Sequence, residues 1–308
     1  MVRLGTFANK VKKAVLLSRL LMNAAKRGRL RNLNDSNFQT GTLLALQYPV
    51  DPTSRYGYSQ PPHEMLRAIL DKNRQTYERY VRSISDFEPY FARIPLEHSK
   101  ASGDLVWNNR YFQGLDAAAL YVLTSQLNPK QYLEIGSGHS TRFVRRAITD
   151  HQLQTKVTSL DPRPRADIDL ISDKVVRTGL QDADLRIFEQ VGEGDVVFFD
   201  GSHYCFTNSD VTVFFLEILP KLPKGIFVHF HDIFLPYDYP PDWSHRFYSE
   251  QYVVAALMLG GSQFFDVMLP NHFVVRDPEF GKVLAPFWKR FAPPQAADYG
   301  SSFWIQTK

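Results

Sequence analysis

One cysteine, Cys205, stands in 308 residues, which excludes an intrachain disulfide framework and any cysteine-cluster metal site. Its expected role is that of a small buried apolar side chain rather than a reactive thiol. No uncharged run reaches the roughly 18 residues that a membrane-spanning helix needs. Neither an internal repeat nor a low-complexity tract appears. Acidic residues are missing altogether from Met1 to Asn34, although Arg3, Lys10, Lys12, Lys13, Arg19, Lys26, Arg27, Arg29 and Arg31 fall there. The net charge of +4 is therefore concentrated at one end of an otherwise nearly balanced chain.

In that basic stretch Leu4, Phe7, Val11, Ala14, Val15, Leu21, Met22 and Ala25 recur at three- and four-residue steps, the signature of an amphipathic helix. It suits packing onto the main domain or a second subunit, or an anionic membrane surface. Arg19 breaks the apolar run that a secretory signal would need, while a transit peptide stays compatible with the composition. Nucleic acid is not the expected partner, because Phe7 is the only aromatic platform among the cations. The Pro- and Tyr-rich run from Gln47 to Pro62 reads as a connector. His63 to Ser85 and Leu115 to Leu127 read as helices. The expected division is residues 1–108, a basic helix, connector and helical extension, followed by a catalytic domain over 109–308.

Beyond residue 130, short apolar runs alternate with helix-length segments: 131–135, 156–160, 174–177, 195–199 and 226–230. This alternation predicts an α/β fold with a doubly wound, mostly parallel sheet covered on both faces. The strands end in Gly136, Asp161, Gly179, Asp200 and Asp232, and ligands in such sheets sit outside the carboxyl ends of the strands. The most informative of these ends is YLEIGSGHSTRF, from Tyr132 to Phe143, where an apolar strand enters an acidic, glycine-punctuated turn before a helix. Gly136 and Gly138 let the backbone turn sharply and let a ligand come close. A dinucleotide site and an S-adenosylmethionine (SAM) site both use such a turn. A dinucleotide fingerprint requires G-x-G-x-x-G, and Thr141 stands at its last glycine, which weakens that reading.

Asp161, 23 residues after Gly138, is placed to accept from ribose hydroxyls, with a turn aspartate before Pro162 as the alternative. Asp182 suits an adenine amino group or a helix N-cap over 183–190. DVVFFDGSH puts Asp200 and His203 on one tight turn, and GIFVHFHD puts His229, His231 and Asp232 at the next strand's end. Residues two apart along a strand share a face, so His229 and His231 should point the same way. Carboxylates and imidazoles at one rim suit proton transfer or a divalent cation. His229 reads as a satisfied core residue. The later loop from Pro236 to Arg246 offers Tyr237, Tyr239 and Trp243 beside Asp238 and Asp242, suited to a sugar or polyphenol or to a packed surface. The Pro/aromatic segment over 285–299 suits a lid or an oligomer contact.

Glu134-Ile-Gly-Ser-Gly138, LDPRPR, FFDGSHY and FHDI occur in this order, followed by SEQYVVAALM and GSSFWIQ. From about Asn109 onward, roughly two thirds of the chain, the sequence resembles class I SAM-dependent methyltransferases, particularly the branch of small-molecule O-methyltransferases. The resemblance implies a seven-stranded sheet with an antiparallel last strand. It further implies Glu134, Gly136, Ser137 and Gly138 at the methionine portion of SAM, Asp161 at the ribose and Asp182 at the adenine edge. Relatives acting on sugars of polyketides and antibiotics bind magnesium through the aspartate of the D-G-x-H turn and two acidic residues ending the fifth strand. By that resemblance Asp200 and Asp232 are metal ligands, and His231 replaces the third, shifting preference towards manganese, iron or zinc. His203 takes the place of the relatives' general base, with Asp200 and Asp232 assisting it. The expected activity is O-methylation of a saccharide-like or glycosylated small molecule. A metal-dependent hydroxylase on the same fold, or a non-catalytic SAM-binding partner protein, are the alternatives. The expected setting is cytoplasmic, with peripheral membrane or subunit contact through residues 1–31 and a possible homo-oligomer.

Overall fold

A computed structural model describes residues 48, 50–97, 105–291 and 299–308. The chain divides into two compact units, Met1–Asp51 and Pro52–Lys308, and every element below belongs to the second. The amphipathic helix expected over the first 34 residues lies outside the described residues. Among those described, no helix is long and apolar enough to cross a membrane.

Helices α1 (Glu64–Asp71), α2 (Arg74–Ser83), α3 (Glu88–Phe91) and α4 (Gly114–Leu127) precede the first strand. The sequence suggested one helix across 63–85. The chain instead breaks at Lys72 and Asn73, where the Asn73 side-chain amide donates to the Val267 carbonyl. Next come β1 (Gln131–Ile135), α5 (His139–His151), β2 (Lys156–Leu160), β3 (Lys174–Val176) and β4 (Val196–Phe199). The remainder is α6 (Asp210–Val213), β5 (Phe227–Phe230), α7 (Glu250–Leu259), β6 (Phe265–Pro270), α8 (Asn271–Arg276), α9 (Pro278–Phe291) and β7 (Phe303–Thr307).

The seven strands form one sheet in the order β3-β2-β1-β4-β5-β7-β6. The first five are parallel, and β7 runs antiparallel to both β5 and β6. This is a doubly wound, Rossmann-like arrangement, as the alternation of runs predicted, with the seven strands and antiparallel last strand that the resemblance implied. In β4 and β5 every residue is buried, so both faces of the sheet are covered and alternation of polar and apolar residues would serve no purpose. Strand order reverses between β1 and β4, which opens a crevice at their carboxyl ends.

The helices before the sheet share its core. Phe91 meets the Tyr121 ring at 5.0 Å and the Phe287 ring at 5.5 Å, joining α3 to α4 and α9. Arg74 holds Asp277 through two bonds of 2.7 and 2.9 Å, fixing α2 to the start of α9. Phe287 and Trp288 are buried on α9, so this part of the segment expected as a lid is core, while residues 292–298 lie outside the described residues.

A second tie crosses the middle of the fold. Asp116, fully buried in the first turn of α4, accepts from the Asn271 amide at 2.7 Å and from the Ser301 and Ser302 backbone amides at 2.9 and 2.8 Å. Burial alone would raise this carboxyl; the hydrogen bond and charge of His231, with Asn271 and Ser302, outweigh it and hold the group at about 2.

At the crevice Gly136 has φ +77°, and a Cβ there would lie 1.8 Å from the Asp200 carbonyl oxygen. That contact lies between backbones and cannot relax through a side chain. Gly136→Ala is therefore expected to destabilise the protein by about 2 kcal/mol or more, read from chemical denaturation midpoints. Wild-type stability would mean that the turn can re-form elsewhere.

Candidate functional site

The crevice is a cleft of about 290 Å³, near the small end of the range for small-molecule sites. Its wall comes from four strand ends: Gly136 and Ser137 after β1, Asp161 after β2, Gly179 and Gln181 after β3, and Asp200, Gly201 and Ser202 after β4. Arg163 and Arg165 add positive charge beside the glycine turn. Five residues named from sequence, Gly136, Ser137, Asp161, Gly179 and Asp200, thus converge on one cleft.

The glycine turn is built from beneath. Glu134 is fully buried and accepts from the Ser140 and Thr141 hydroxyls, each at 2.5 Å. Thr141 Oγ1 also accepts the Gly138 amide at 3.0 Å. The position where a dinucleotide fingerprint carries glycine is thus filled by a hydroxyl that braces the turn. Burial pushes the Glu134 carboxyl up to about 8, against the pull of Ser140 and Thr141. Asp161 Oδ2 accepts the Ser137 amide at 2.7 Å, and Oδ1 accepts the Arg163 amide at 2.6 Å. It is a turn aspartate that also joins the end of β2 to the glycine turn, with lone pairs left for a ligand. Asp182 is exposed on a single 3-10 turn and accepts from Gln181, which is the residue that lines the cleft. The N-cap role falls to Asp184, whose carboxylate accepts the Arg186 amide.

Behind the cleft lies a chain of acids and imidazoles. Asp200 stands on the wall with its side chain 21% exposed, while His203 behind it is 5% exposed. His203 Nε2 lies 3.3 Å from Asp200 Oδ1 and 3.5 Å from Asp232 Oδ2, and His203 Nδ1 lies 2.8 Å from Glu250 Oε2. His231 repeats the pattern, with Nδ1 3.5 Å from both Asp200 and Asp232 and Nε2 3.5 Å from Asp116. Burial alone would lower both imidazoles. For His203 the bonds to Asp200 and Glu250 and the charge of Asp232 outweigh it, and for His231 the charges of Asp232 and Asp200 do so. Both rings are held well above the ordinary histidine range. Asp200 is driven well below the carboxylate range, its burial outweighed by His231 and His203. Burial pushes Glu250 up to about 7, opposed by its bond to His203.

His203 and Asp232 both adopt left-handed backbone angles, φ +62° and +57°. Such residues are uncommon outside glycine and concentrate at functional sites. His229 stacks on Phe198 at 3.9 Å and meets the Ser302 hydroxyl at 2.7 Å, a neutral core histidine on the same face as His231.

The metal set expected at Asp200, His231 and Asp232 does not fit this geometry. Among the described residues, no group of three or more His, Cys, Asp or Glu side chains is disposed to hold a metal ion. The physical reason is visible in the pairings: Asp200 Oδ1 faces both His203 Nε2 and His231 Nδ1, so imidazole N–H groups occupy the directions a cation would need. Two positively charged rings compensate the carboxylates instead. Cys205 also departs from expectation, since it is exposed on the loop after β4 with its amide held by the Ser249 hydroxyl.

The aromatic loop is divided in its roles. Asp238 accepts from the Arg55 and Tyr56 amides and from the Tyr252 hydroxyl, and Tyr239 is buried, so both are structural. Trp243 lies under the Arg246 guanidinium at 3.9 Å and edge-on to Tyr248, whose ring sits 4.6 Å from His203.

Residues 133–233 match the family model of a methyltransferase domain, a span that runs from β1 to just beyond β5 and contains the glycine turn, Asp161, Asp200, His203, His231 and Asp232. The match runs across the five parallel strands of the sheet. No curated protein matches the chain. Among solved structures, the SAH-bound methyltransferase PaMTH1 of Podospora anserina is 15% identical over 74% of this chain and 88% of its own, with a TM-score of 0.39. The plantazolicin methyltransferase BamL with SAH is 13% identical over 78% and 99%, with a TM-score of 0.41. An O-methyltransferase from Bacillus cereus with SAH is 16% identical over 80% and 96%, with a TM-score of 0.32. These likenesses are too remote to carry a function across.

Glu250 and Asp116 were not found from sequence. Each is an acid in an apolar helix, 47 residues from His203 in the first case, and a lone acid in such a helix was the available signal.

The raised carboxyl of Glu134 has a measurable consequence. The folded state keeps its proton while the unfolded state has lost it between about pH 4.5 and about pH 8, so stability falls as pH rises through that window. Glu134→Gln should flatten that part of the thermal-unfolding profile. An unchanged slope would show that Glu134 is ionised throughout.

Proposed function

We propose that the chain is a SAM-dependent methyltransferase acting on a hydroxyl of a polar small molecule. One observation carries the reading: the cleft at the switch point of the sheet joins a braced glycine turn and Asp161 directly to a wall whose exposed group, Asp200, is backed by His203. The residues fit the cofactor. Gly136, Ser137 and Gly138 would adjoin its methionine portion, Asp161 the ribose, and Gln181, with Asp182 bonded beside it, the adenine side.

The bound cofactor supplies a methyl group already activated by its sulfonium. What remains for the protein is to align the acceptor oxygen and to take its proton. Asp200, a carboxylate held ionised by two imidazoles, accepts the hydrogen bond of the acceptor hydroxyl at the cleft surface. As the oxygen–methyl bond forms and the methyl–sulfur bond breaks, leaving a neutral thioether, the acceptor's oxygen–hydrogen bond would break and its proton would pass by way of the Asp200 carboxylate to His203 Nε2, 3.3 Å away. Asp232 faces the same nitrogen and stabilises the imidazolium. Tyr248, whose ring lies 4.6 Å from His203, and Trp243 under the Arg246 guanidinium offer aromatic faces suited to a sugar ring or an aromatic acceptor.

Because His203 is held above its ordinary range, its neutral form grows only as pH rises. Methyl transfer should therefore increase with pH through neutrality and level off on the alkaline side. A calorimetric titration should find one SAM bound per chain, and His203→Ala should keep that binding while lowering kcat by about 10²-fold or more. Absence of SAM binding to folded protein would end the proposal. Unchanged turnover in the variant, or a flat pH profile, would remove His203 from it.

A further inference from the structure

We infer that Glu250 is the positioning residue of a His–Glu pair, fixing the ring of His203 with its Nδ1 proton directed at the carboxylate and its Nε2 directed at the cleft wall. The functional part rests on the methyl-transfer reading above, while the geometric part stands without it.

The first turn of α7 grips His203 at both backbone and side chain. The Ser249 and Glu250 amides donate to the His203 carbonyl at 2.9 and 3.2 Å, holding the left-handed backbone, and the Glu250 carboxylate reaches around to Nδ1 at 2.8 Å. The pairing is shorter than either contact of Nε2, at 3.3 and 3.5 Å, so Nδ1 carries the firm hydrogen bond and Nε2 the looser ones. Folding economy does not account for the carboxylate. Glu250 is fully buried, and its second oxygen, Oε1, has no hydrogen-bond partner. A buried acid with one oxygen unsatisfied costs stability, and its only side-chain hydrogen bond among the described residues is the one to His203. What Glu250 supplies is orientation: the tautomer with hydrogen on Nδ1, leaving Nε2 to receive a proton, and, in its ionised form, a negative charge beside the imidazolium that results. Sequence reading gave the orienting role to Asp200. The geometry moves that role to Glu250 and leaves Asp200 at the cleft.

The test compares wild type with Glu250→Gln and Glu250→Asp. In ¹⁵N-histidine NMR spectra, with His203 assigned by its absence in His203→Asn, wild type should show a hydrogen-bonded Nδ1–H. Glu250→Gln, which keeps the shape and removes the charge, should weaken or lose that signature while still binding SAM. In turnover, Glu250→Gln should lower kcat about 10- to 100-fold, leave KM for SAM within about twofold, and move the acid limb of the pH profile to lower pH. Glu250→Asp keeps the charge and should hold the limb near its wild-type position even where kcat falls. An Nδ1 signal identical in wild type and Glu250→Gln, or equal kcat and pH profile, would overturn the inference. Should Glu250→Gln fail to fold, the limb position in Glu250→Asp decides, and a shift as large as that of His203 without a charged partner refutes it. A wild type that transfers no methyl group fails the function, and the NMR comparison still decides the pair.

Discussion

Two imidazoles set between four carboxylates are the interaction on which the site depends. Asp200 and Asp232 would repel one another at the ends of adjacent strands, and neither could stay ionised in a closed interior without positive charge beside it. His203 and His231 supply that charge, and each ring is held from behind by a second buried acid, Glu250 or Asp116. The outer acids come from helices α7 and α4, which pack on the sheet from different parts of the chain. The complete cluster therefore needs the strand ends and both helices in place together.

This coupling explains the weight carried by Asp116. Its carboxylate takes hydrogen bonds from the start of β7 and from α8 while it faces His231. A residue of the first helical turn before the sheet thus connects the antiparallel strand, the late helix and the acid–imidazole chain. The strain at His203 and Asp232 follows from the same logic. Left-handed angles cost on the order of 1–3 kcal/mol each and persist only where the surroundings over-determine them. At His203 the over-determination is explicit, since α7 bonds both its carbonyl and its ring.

Much of the fold was legible because strands buried on both faces have to be apolar runs. Gln131–Ile135 and Lys156–Leu160 end where the sequence placed them, and the other three parallel strands differ by a single residue at one end. Polar residues closing those runs located the cleft, because a chain leaving a buried sheet meets solvent only at the rim. What the sequence hid was long-range pairing. Asp116 and Glu250 look like isolated charges in apolar helices, and nothing local says that each faces a histidine on a distant strand. Gln181, which lines the cleft, was likewise not named from sequence, although it adjoins Asp182 on the same 3-10 turn. Cys205 was read from its residue type, which is usually buried, whereas its position on the loop after β4 leaves it exposed.

The pairing of the rim's carboxylates with imidazoles bears on what the rim can do. A divalent cation would lower an acceptor hydroxyl's pKa by direct coordination, and its charge would not vary with pH over the working range. Imidazolium groups supply charge of similar sign but give it up as pH rises. On the proposed reading, His203, one of the two rings that hold Asp200 ionised, must itself lose a proton before it can accept one. Asp232 and Glu250 bind the imidazolium form tightly, which makes His203 a stronger base and at the same time a less populated one near neutrality. On the proposed reading, a site built in this way would gain driving force for proton transfer at the expense of the fraction of molecules ready to perform it, and its working range would lie on the alkaline side of an ordinary histidine.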